Sequence, residues 1–443
     1  MTYNEIIDLG LKLGLEEIEL YSENVEGNTV KVFNGELSNY NSSNTFGMSI
    51  RGKYNNKMCY VYTETLEKDV IETLLKTLIE NAKSLTSTET EFLYEGSKEY
   101  PKVVNKEADY KNHTLQEKVE LLKTLERGAK ESDSRIVAAG YCQYAENAVK
   151  VRIVNSKGLD LERSTSYMYA FLGLTASDGK NVTMGFAQDI NTTFNNIEKD
   201  RIIKEAVENA INSLGAESVE SGKYSIVFSE DTASDLLQAF SSIFVGESAL
   251  RKVTSLTDKV GQKVFGENIT IIDDPFCDKS IVKIPFDDEG VPCQTKSVVE
   301  NGVFKGFLHS LKTANAFNTV STGNGFKPGI KSSVTTTPTN LYLKPGTISK
   351  EQLIKNTDKG IYITELNGLH AGLNTISGDF NLQASGFMIE NGVKTKPVTL
   401  FVISGNFYEM MNNVEEIASN IKDRFNGIAS PSFKVKGLMI SGK

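Results

Sequence analysis

The residues of this sequence that could hold a catalytic metal are few and widely spaced. The chain contains three histidines, His113, His309 and His370, and none lies within a helical turn of another. Zinc hydrolysis needs two or three imidazoles or carboxylates on one metal, commonly two histidines one helical turn apart with a glutamate base between them. No HExxH or HExxxH spacing occurs. A composite site of His309, His370 and Cys293 is the one metal hypothesis left, and isolated histidines more often satisfy hydrogen bonds.

Two carboxylate clusters lie in predicted loops, at residues 273–275 (DDP) and 286–290 (FDDEG). Oxygen ligands of this kind can bind Ca²⁺ or Mg²⁺, but the EF-hand spacing is absent. Aspartates that precede proline or glycine commonly close Asx turns. We therefore interpret both clusters as turns.

Other catalytic motifs also fail a first test. The Gly-x-Ser-x-Gly motif of serine hydrolases does not occur. Ser248 lies after the end of a predicted helix, whereas the nucleophilic serine of that motif lies in the turn between a strand and a helix. A cysteine nucleophile would need a histidine partner that the sequence does not indicate. Residues 321–329 (STGNGFKPG) lack the P-loop and dinucleotide-binding spacings, so we interpret them as a loop.

The stretch from 361 to 407 alternates short apolar runs with Gly-containing turns at 367–368, 377–378 and 391–392, which predicts antiparallel strands and hairpins. Function in β-structures is often carried by such turns. The polar or adjacent residues of these turns are therefore our binding candidates. They are His370, Asn374, Asp379, Phe380 and Asn381.

The elements that must position these residues fall into two parts. In the first, a helix, about four strands and a second helix are predicted twice, which indicates a structural duplication. Capping boxes at Thr2 and Thr114 open the first helix of each unit. The predicted helices span 2–14, 66–85 and 197–214, and a further helix opens at Thr114 and bears Val119, Leu122 and Leu125. The predicted strands span 17–22, 28–33, 47–50, 57–62, 136–143, 149–155, 167–175 and 182–189.

From Ser221 onward, strands and turns dominate, with helices predicted at 231–244, from 350, and at 408–421. Further strands are predicted at 223–228, 269–272, 306–309 and 340–343. The fold class is therefore α+β: an N-terminal α/β region with a duplicated helix-strands-helix unit, and a β-rich C-terminal domain with a few helices. We predict domains at 1–85, 113–220 and 221–443, with a linker at 86–112.

Composition narrows the classes of function. The 443 residues carry a net charge of -9 without a basic block, which argues against direct binding of nucleic acid. No apolar run reaches the ~18 residues of a membrane span, and the N-terminus does not resemble a signal peptide. Four cysteines without paired spacing indicate free thiols in a reducing compartment, so we expect a cytoplasmic protein.

The C-terminal half contains a series of distinctive segments, which are IIDDP (271–275), FDDEG (286–290), NGVFKGFLHSLKTANAF (301–317), STGNG (321–325), PTNLYLKPG (338–346), GLHAGLNTISGDFNLQASGFMIENG (368–392) and PVTLFVISGN (397–406). In sequence and order these segments resemble the TldD/TldE family, whose TldE member is also called PmbA. Residues 34–52 resemble the family's N-terminal strands more weakly.

The resemblance implies a two-component zinc protease. A TldD-type subunit holds the metal with HExxxH on a helix and a later cysteine, and a TldE-type subunit lacks these ligands. Here the corresponding helix, 231–244, presents Gln238, Ala239 and Ile243, and the later segment offers His370 but no cysteine. The chain is therefore similar to the TldE/PmbA type.

The resemblance also implies a role for the chain. It would be a non-catalytic partner of a TldD-type subunit in the processing of unfolded or extended peptides, without a cofactor of its own and with zinc in the partner. A homodimer would form in isolation. The label "modulator of DNA gyrase" would reflect proteolysis of a toxin or inhibitor. The alternatives are a free-standing metallopeptidase with unconventional ligands, and a homo-oligomeric peptide-binding scaffold.

Overall fold

The structure, a computed structural model, describes residues 1–86, 91–422 and 427–443. Within these ranges no helix combines the length and apolar character needed to cross a bilayer.

The N-terminal part is built from two units of the same element order, a helix, three long antiparallel strands and a helix. The first unit consists of α1 Tyr3–Lys12, β1 Glu17–Phe33, β2 Glu36–Tyr54, β3 Lys57–Thr63 and α2 Lys68–Ser84, and the second of α3 Leu115–Ser132, β4 Ile136–Asn155, β5 Asp160–Ser177, β6 Val182–Asn191 and α4 Lys199–Ile211. Both units share one six-stranded sheet in the order β3-β2-β1-β4-β5-β6. The repeated element order agrees with the predicted duplication.

The predicted number of about four strands per unit was wrong. β1 and β4 are single strands of 17 and 20 residues, each of which had been predicted as two. The two halves of β1 have different surroundings: residues 18–22 are buried, whereas most of residues 23–31 are only partly covered. The apolar alternation therefore fades halfway along a strand that continues. It is absent at residues 36–45 of β2, which are exposed on both faces.

The predicted helix starts were confirmed. Thr2 and Thr114 form capping boxes with Glu5 and Glu117, since each threonine hydroxyl accepts a hydrogen bond from the glutamate N–H and each glutamate carboxylate accepts one from the threonine N–H. On α2, Val70 is exposed. The buried face consists of Ile71, Leu75, Leu78, Ile79 and Ala82.

Residues 87–90 of the predicted linker lie outside the described residues. The remainder includes a 3₁₀ turn at Asp109–Asn112. This linker is hydrogen-bonded to the C-terminal domain. The Tyr100 hydroxyl donates to Gly290 O at 2.9 Å, and Asn105 Nδ2 donates to Lys283 O at 2.9 Å.

The C-terminal domain contains a sheet that closes on itself. Its order is β16-β15-β14-β7-β19-β17, and β16 also pairs with β19. Smaller sheets, β10-β9-β8-β13-β18 and β11-β12, flank it. The strands are β7 Gly222–Phe228, β8 Ile271–Asp273, β9 Lys296–Glu300, β10 Val303–Phe304, β11 Gly325–Phe326, β12 Thr335–Thr336, β13 Leu341–Leu343, β14 Lys359–Asn367, β15 Asp379–Glu390, β16 Val393–Asn406, β17 Val414–Ile417, β18 Ile428–Ala429 and β19 Phe433–Ser441; the helices are α5 Glu230–Phe240, α6 Gly246–Leu250, α7 Leu311–Ala316, α8 Lys350–Lys355 and α9 Phe407–Asn412.

Two local predictions in this domain were wrong. The helix predicted at 408–421 ends at Asn412, and β17 follows it; Met410, Met411, Val414 and Ile417 have helical spacing across the boundary. Residues 306–309 form no strand, although Leu308 makes an isolated bridge to Val245. Gly246 begins α6.

The hairpin predicted at 391–392 was confirmed. Asn391 and Gly392 have φ angles of 51° and 73°, as a two-residue type I′ turn requires, and they join β15 to β16.

Candidate functional site

Helix α5 occupies the position where the resemblance places a zinc-binding helix. It follows β7 directly, and Ser229 caps it by accepting a hydrogen bond from Thr232 N–H at 3.2 Å. Its inner face packs into the domain core through Leu236 and Phe240, and the Phe240 ring stacks on Phe407 at a centroid distance of 4.3 Å. The helix is therefore firmly placed by its cap and its packing.

The side chains at the predicted metal positions of this helix do not fit zinc. Gln238 is exposed, Ala239 is partly buried, and Ile243 lies in the core on a 3₁₀ turn that continues α5. An amide, a methyl group and a branched alkyl chain supply no imidazole or thiolate ligand. Among residues 1–86, 91–422 and 427–443, no group of three His, Cys, Asp or Glu side chains is arranged to hold a metal.

The three residues of the composite metal hypothesis have other surroundings. His309 is buried, with Nδ1 at 3.2 Å from Thr313 Oγ1, and burial lowers the pKa of its imidazole. The Cys293 thiol is buried and donates to Gly323 O at 3.1 Å, and burial raises its pKa, which disfavours the thiolate. His370 is exposed on the loop between β14 and β15.

The polar binding candidates form local turn contacts. Asn374 Oδ1 accepts hydrogen bonds from the N–H groups of Ile376 and Ser377 at 2.9 and 3.2 Å, which closes an Asx turn. Asp379 accepts from the Ser377 hydroxyl at 2.7 Å and from Asn406 Nδ2 at 2.9 Å. These contacts hold the end of the loop in one conformation.

The next strand residues alternate between solvent and core. Asn381 is exposed, and its Oδ1 accepts from the Ser404 hydroxyl at 2.7 Å. Phe380 is only 1% exposed and lies in the core between the exposed Asp379 and Asn381. Phe380 was predicted to bind a peptide or a partner, but its side chain is buried and does not reach the surface. The reason is that alternate residues of β15 face inward.

The FDDEG segment is the polar feature whose surroundings sequence reasoning missed. Asp287, Asp288 and Glu289 are all buried. Asp287 Oδ1 accepts from the N–H groups of Glu289 and Val291 at 3.0 and 2.9 Å, so the interpretation as an Asx turn was right for this residue. The segment lies against the N-terminal sheet, where it forms much of the junction between the domains.

Basic side chains of the N-terminal sheet complete this junction. Arg163 on β5 donates to Phe286 O at 2.8 Å and to Asp288 Oδ1 at 2.5 Å. Arg51 on β2 donates to Glu19 Oε1 at 2.6 Å, and its Nη1 lies 3.8 Å from Glu289 Oε1. We define the junction cluster as Glu19, Arg51, Arg163, Asp287, Asp288 and Glu289.

Burial is the main cause of a raised pKa at two carboxyls of the junction cluster, Glu289 and Asp287. Burial raises the pKa of Glu289, while the nearby Arg51 guanidinium opposes that shift. Burial also raises the pKa of Asp287, and the Glu289 charge adds to the effect. Carboxyls in such an environment hold a proton more strongly than exposed ones do.

The Gly-rich segment 321–329 has a structural role beside this cluster. Gly325 N–H donates to Asp287 Oδ2 at 2.8 Å, and a Cβ atom on Gly325 would come within 2.3 Å of Glu289 Oε2. Asn324 Nδ2 donates to the buried Asp273 at 2.9 Å, and Lys296 Nζ lies at the same distance from that carboxylate. Carboxylates of this chain therefore occupy the place where a phosphate cradle would bind its ligand.

An apolar cleft of about 610 Å³ lies between the domains near this junction. Tyr167 and Ile190 of the N-terminal sheet form one wall, and Cys277, Ile281 and Tyr342 belong to the other. Clefts of this size at domain boundaries commonly bind ligands. No local pattern in the sequence indicates this cleft, because its walls come from distant segments.

The whole chain matches known domains in order. Residues 18–82, 109–214 and 221–442 match, respectively, domain 1, the central domain and the C-terminal domain described as PmbA/TldA metallopeptidase. Together with the sheets and helices above, these matches place the chain in the class of PmbA/TldA metallopeptidase-type proteins.

Individual proteins similar to this chain point to the same class. A solved structure from Thermotoga maritima, described as a putative modulator of DNA gyrase, is 31% identical, covers 99% of both chains and has a TM-score of 0.89. TldE from Thermococcus kodakarensis has the same fold, with a TM-score of 0.90, 99% coverage of both chains and 24% identity. A metalloprotease PmbA homolog of Buchnera aphidicola is 29% identical over 72% of this chain and 68% of its own length. The chain belongs to the PmbA/TldD family.

Proposed function

We propose that this chain is the non-catalytic, TldE/PmbA-like subunit of a two-component zinc metalloprotease that processes unfolded or extended peptides. The observation that carries the proposal is the character of α5. At the three predicted ligand positions, α5 and the 3₁₀ turn that follows it have Gln238, Ala239 and Ile243. Zinc would then belong to a TldD-type partner.

The C-terminal domain supports a role in holding peptide or partner. The exposed residues Asn374, Asp379 and Asn381 lie together at the ends of β15 and its preceding loop, with His370 on the same loop. Their turn contacts fix their positions, so they could meet a ligand with little loss of conformational entropy. We propose that they face the peptide or the partner.

The cysteines support a cytoplasmic setting for this activity. All four thiols are free, and Cys59, Cys142 and Cys293 are buried. Free buried thiols are typical of reducing compartments.

The test combines metal analysis with a cleavage assay. The full chain, purified under native conditions, is expected to contain substoichiometric zinc and to cleave unfolded peptides only after a TldD-type chain is added. Chelator-sensitive cleavage by the chain alone, with stoichiometric zinc, would overturn the proposal and favour the free-standing metallopeptidase.

Matched variants separate the residues involved. His309→Ala, His370→Ala and Cys293→Ala are expected to leave the metal content of the pure chain unchanged. Asp379→Ala combined with Asn381→Ala is expected to lower partner-dependent cleavage while the folded chain keeps its far-UV spectrum. If cleavage is unchanged in that double variant, these residues only order the turn.

A further inference from the structure

The apolar cleft between the domains adjoins a second, more polar space. The cleft has a volume of about 610 Å³ and the second space about 380 Å³, and Ile190 of β6 and residues 278–281 line both. The aliphatic side chains of the inner part are Ile190, Ile281, Val282, Ile284, Pro345 and Ile421. The outer part is formed by residues 104–106 of the linker, residues 190–192 and the loop of residues 277–284. We call this loop the cleft loop.

The cleft loop is held in place by hydrogen bonds. Asn105 Nδ2 donates to Lys283 O at 2.9 Å, and the Lys283 N–H donates to Asn105 Oδ1 at 2.8 Å. The Ser280 hydroxyl lies 2.9 Å from Val282 O and 3.1 Å from Asn340 Oδ1. The wall that the two spaces share is therefore formed before any ligand enters, which reduces the entropy lost on binding.

The rim of the outer part is basic. Lys106, Lys279 and Lys283 line it together with Asp278. Lys283 Nζ lies 2.9 Å from Asp278 Oδ1. Lys279 is exposed and forms no ion pair with any residue that the structure describes. Lys106 donates to the Thr193 hydroxyl, which is uncharged. Two lysines of the rim therefore lack a carboxylate partner, although the chain has a net charge of -9.

The charged groups that lie deeper in the cleft do not favour an anion. Lys422 Nζ lies 3.4 Å from Asp231 Oδ2 and 3.5 Å from Glu230 Oε1, so its charge is already compensated. Asp274 also lines the inner part, and it accepts a hydrogen bond from the Thr295 hydroxyl at 2.6 Å. Positive charge without a partner is thus available at the rim, and apolar surface is available inside.

We propose that this site binds an apolar chain that ends in a carboxylate, with the chain in the inner part and the carboxylate at the rim near Lys106 and Lys279. The apolar chain is removed from water between the aliphatic walls, while the carboxylate stays near the surface and meets opposite charge. An ammonium group in the same place would be repelled. Asp278 offsets part of the positive charge, so the rim suits a singly charged carboxylate better than a phosphate dianion.

Two sources supply this chemistry, a peptide with an apolar C-terminus and a fatty acid. The size of the cleft is within the range of ~300–1,000 Å³ that is usual for ligand sites. The proposal concerns binding by this chain alone and does not depend on the proposed proteolytic role.

The test compares acids with uncharged counterparts by isothermal titration calorimetry on the full chain. The probes are N-acetyl-trileucine and its C-terminal amide, and decanoate and decanol. At least one acid is expected to bind roughly tenfold more tightly than its uncharged counterpart at low ionic strength, and added salt should reduce that advantage. Binding of the tripeptide acid alone would identify peptide C-termini as the source, and binding of decanoate alone would identify fatty acids.

Matched variants locate the bound acid. Lys279→Glu is expected to raise the dissociation constant of the acid roughly tenfold and to leave that of the uncharged counterpart nearly unchanged. Ile281→Ala is expected to weaken both by a similar factor, about threefold, because it removes apolar wall. Lys12→Glu makes the same change of charge on α1, which lines neither space, and should have no effect.

Cys277 provides a second readout inside the cleft. It lines the inner part and is partly exposed, whereas Cys59, Cys142 and Cys293 are buried. A saturating acid is expected to slow the alkylation of Cys277 by iodoacetamide, measured by mass spectrometry. The proposal is overturned if neither acid binds, if acid and uncharged counterpart bind equally, if Lys279→Glu and Lys12→Glu have equal effects, or if Cys277 is not protected.

Discussion

The segments 286–290 and 374–381 are both short and rich in acidic or amide side chains, yet they differ in burial and in the sequence distance to their contacts. Asp288 contacts Arg163, which is 125 residues away in the chain. Asp379 contacts Ser377 and Asn406, and it remains exposed. One segment joins two domains, and the other stabilises its own loop.

This difference shows which physical terms act at each place. A buried charge has lost its hydration, so its partner must stay in place for the fold to remain stable. An exposed carboxylate keeps its water, and its hydrogen bonds mainly select a conformation. The same residue types therefore have different energetic roles, and substitutions at the two places should differ in their effect on stability.

The largest effect is expected at the junction, from Arg163→Ala. This change leaves the Asp288 carboxylate buried without its guanidinium, so the free energy of unfolding should fall by roughly 3–5 kcal/mol in urea denaturation. The control is Arg152→Ala on the neighbouring β4. Arg152 and Asp160 are 41% and 54% exposed, so losing this pair should cost about 0–1 kcal/mol. Equal losses in the two variants would contradict the assignment of a buried ionic junction.

The second experiment concerns pH and Glu289→Gln. Burial raises the pKa of Glu289 in the folded chain to about 7, so the folded state binds a proton that the unfolded state releases at lower pH. The contribution to stability is full below the unfolded pKa and is lost as pH rises through about 7. Each unit of separation between the two pKa values is worth about 1.4 kcal/mol.

Thermal denaturation between pH 5 and pH 8 checks this expectation. Relative to Glu289→Gln, the native chain should lose stability as pH rises. The variant keeps an acceptor for Leu311 N–H, which lies 2.7 Å from Glu289 Oε2. Parallel pH profiles would show that Glu289 is ionised in the folded chain throughout this range.

Much of the secondary structure could be predicted because its causes are local. The capping boxes at Thr2 and Thr114 and the turn at Asn391 each depend on residues within a few positions. The long strands were divided because their burial changes halfway: in β1, Ile18 and Leu20 pack against α1 and α2, and Tyr21 packs with Phe286 of the C-terminal domain. A periodicity argument cannot detect a neighbour from another part of the chain.

The candidate site could likewise be predicted only where its features depend on local sequence. The absence of imidazoles on α5 can be seen directly in the sequence, and the family can be inferred from its motifs. The burial of Asp287 and Glu289 could not be predicted, because Arg51 and Arg163 come from a different domain. Only the folded sheet brings these opposite charges together.

A smaller effect is expected in the turn, from Asn374→Ala. The substitution removes the acceptor for the N–H groups of Ile376 and Ser377, so stability should fall by about 1 kcal/mol and these amides should exchange faster with solvent. Asn374→Asp keeps an oxygen acceptor and is the matched control. Unchanged exchange in Asn374→Ala would mean that the loop is held by other contacts.

The smallest effect is expected in the titration of Asp379. Hydrogen bonds from Asn406 and then Ser377 hold the pKa of this exposed carboxyl below its usual value. Any stability it contributes is present above the unfolded pKa and is lost as pH falls through the folded one. Carboxyl ¹³C shifts should therefore show Asp379 ionising early in an upward pH titration, while Glu289 ionises late. Asn406→Asp keeps an acceptor at the start of α9 but replaces the donor to Asp379 with a carboxylate, so the pKa of Asp379 should rise. If Asp379 and Glu289 titrate together, the distinction between a solvated turn and a buried junction is wrong.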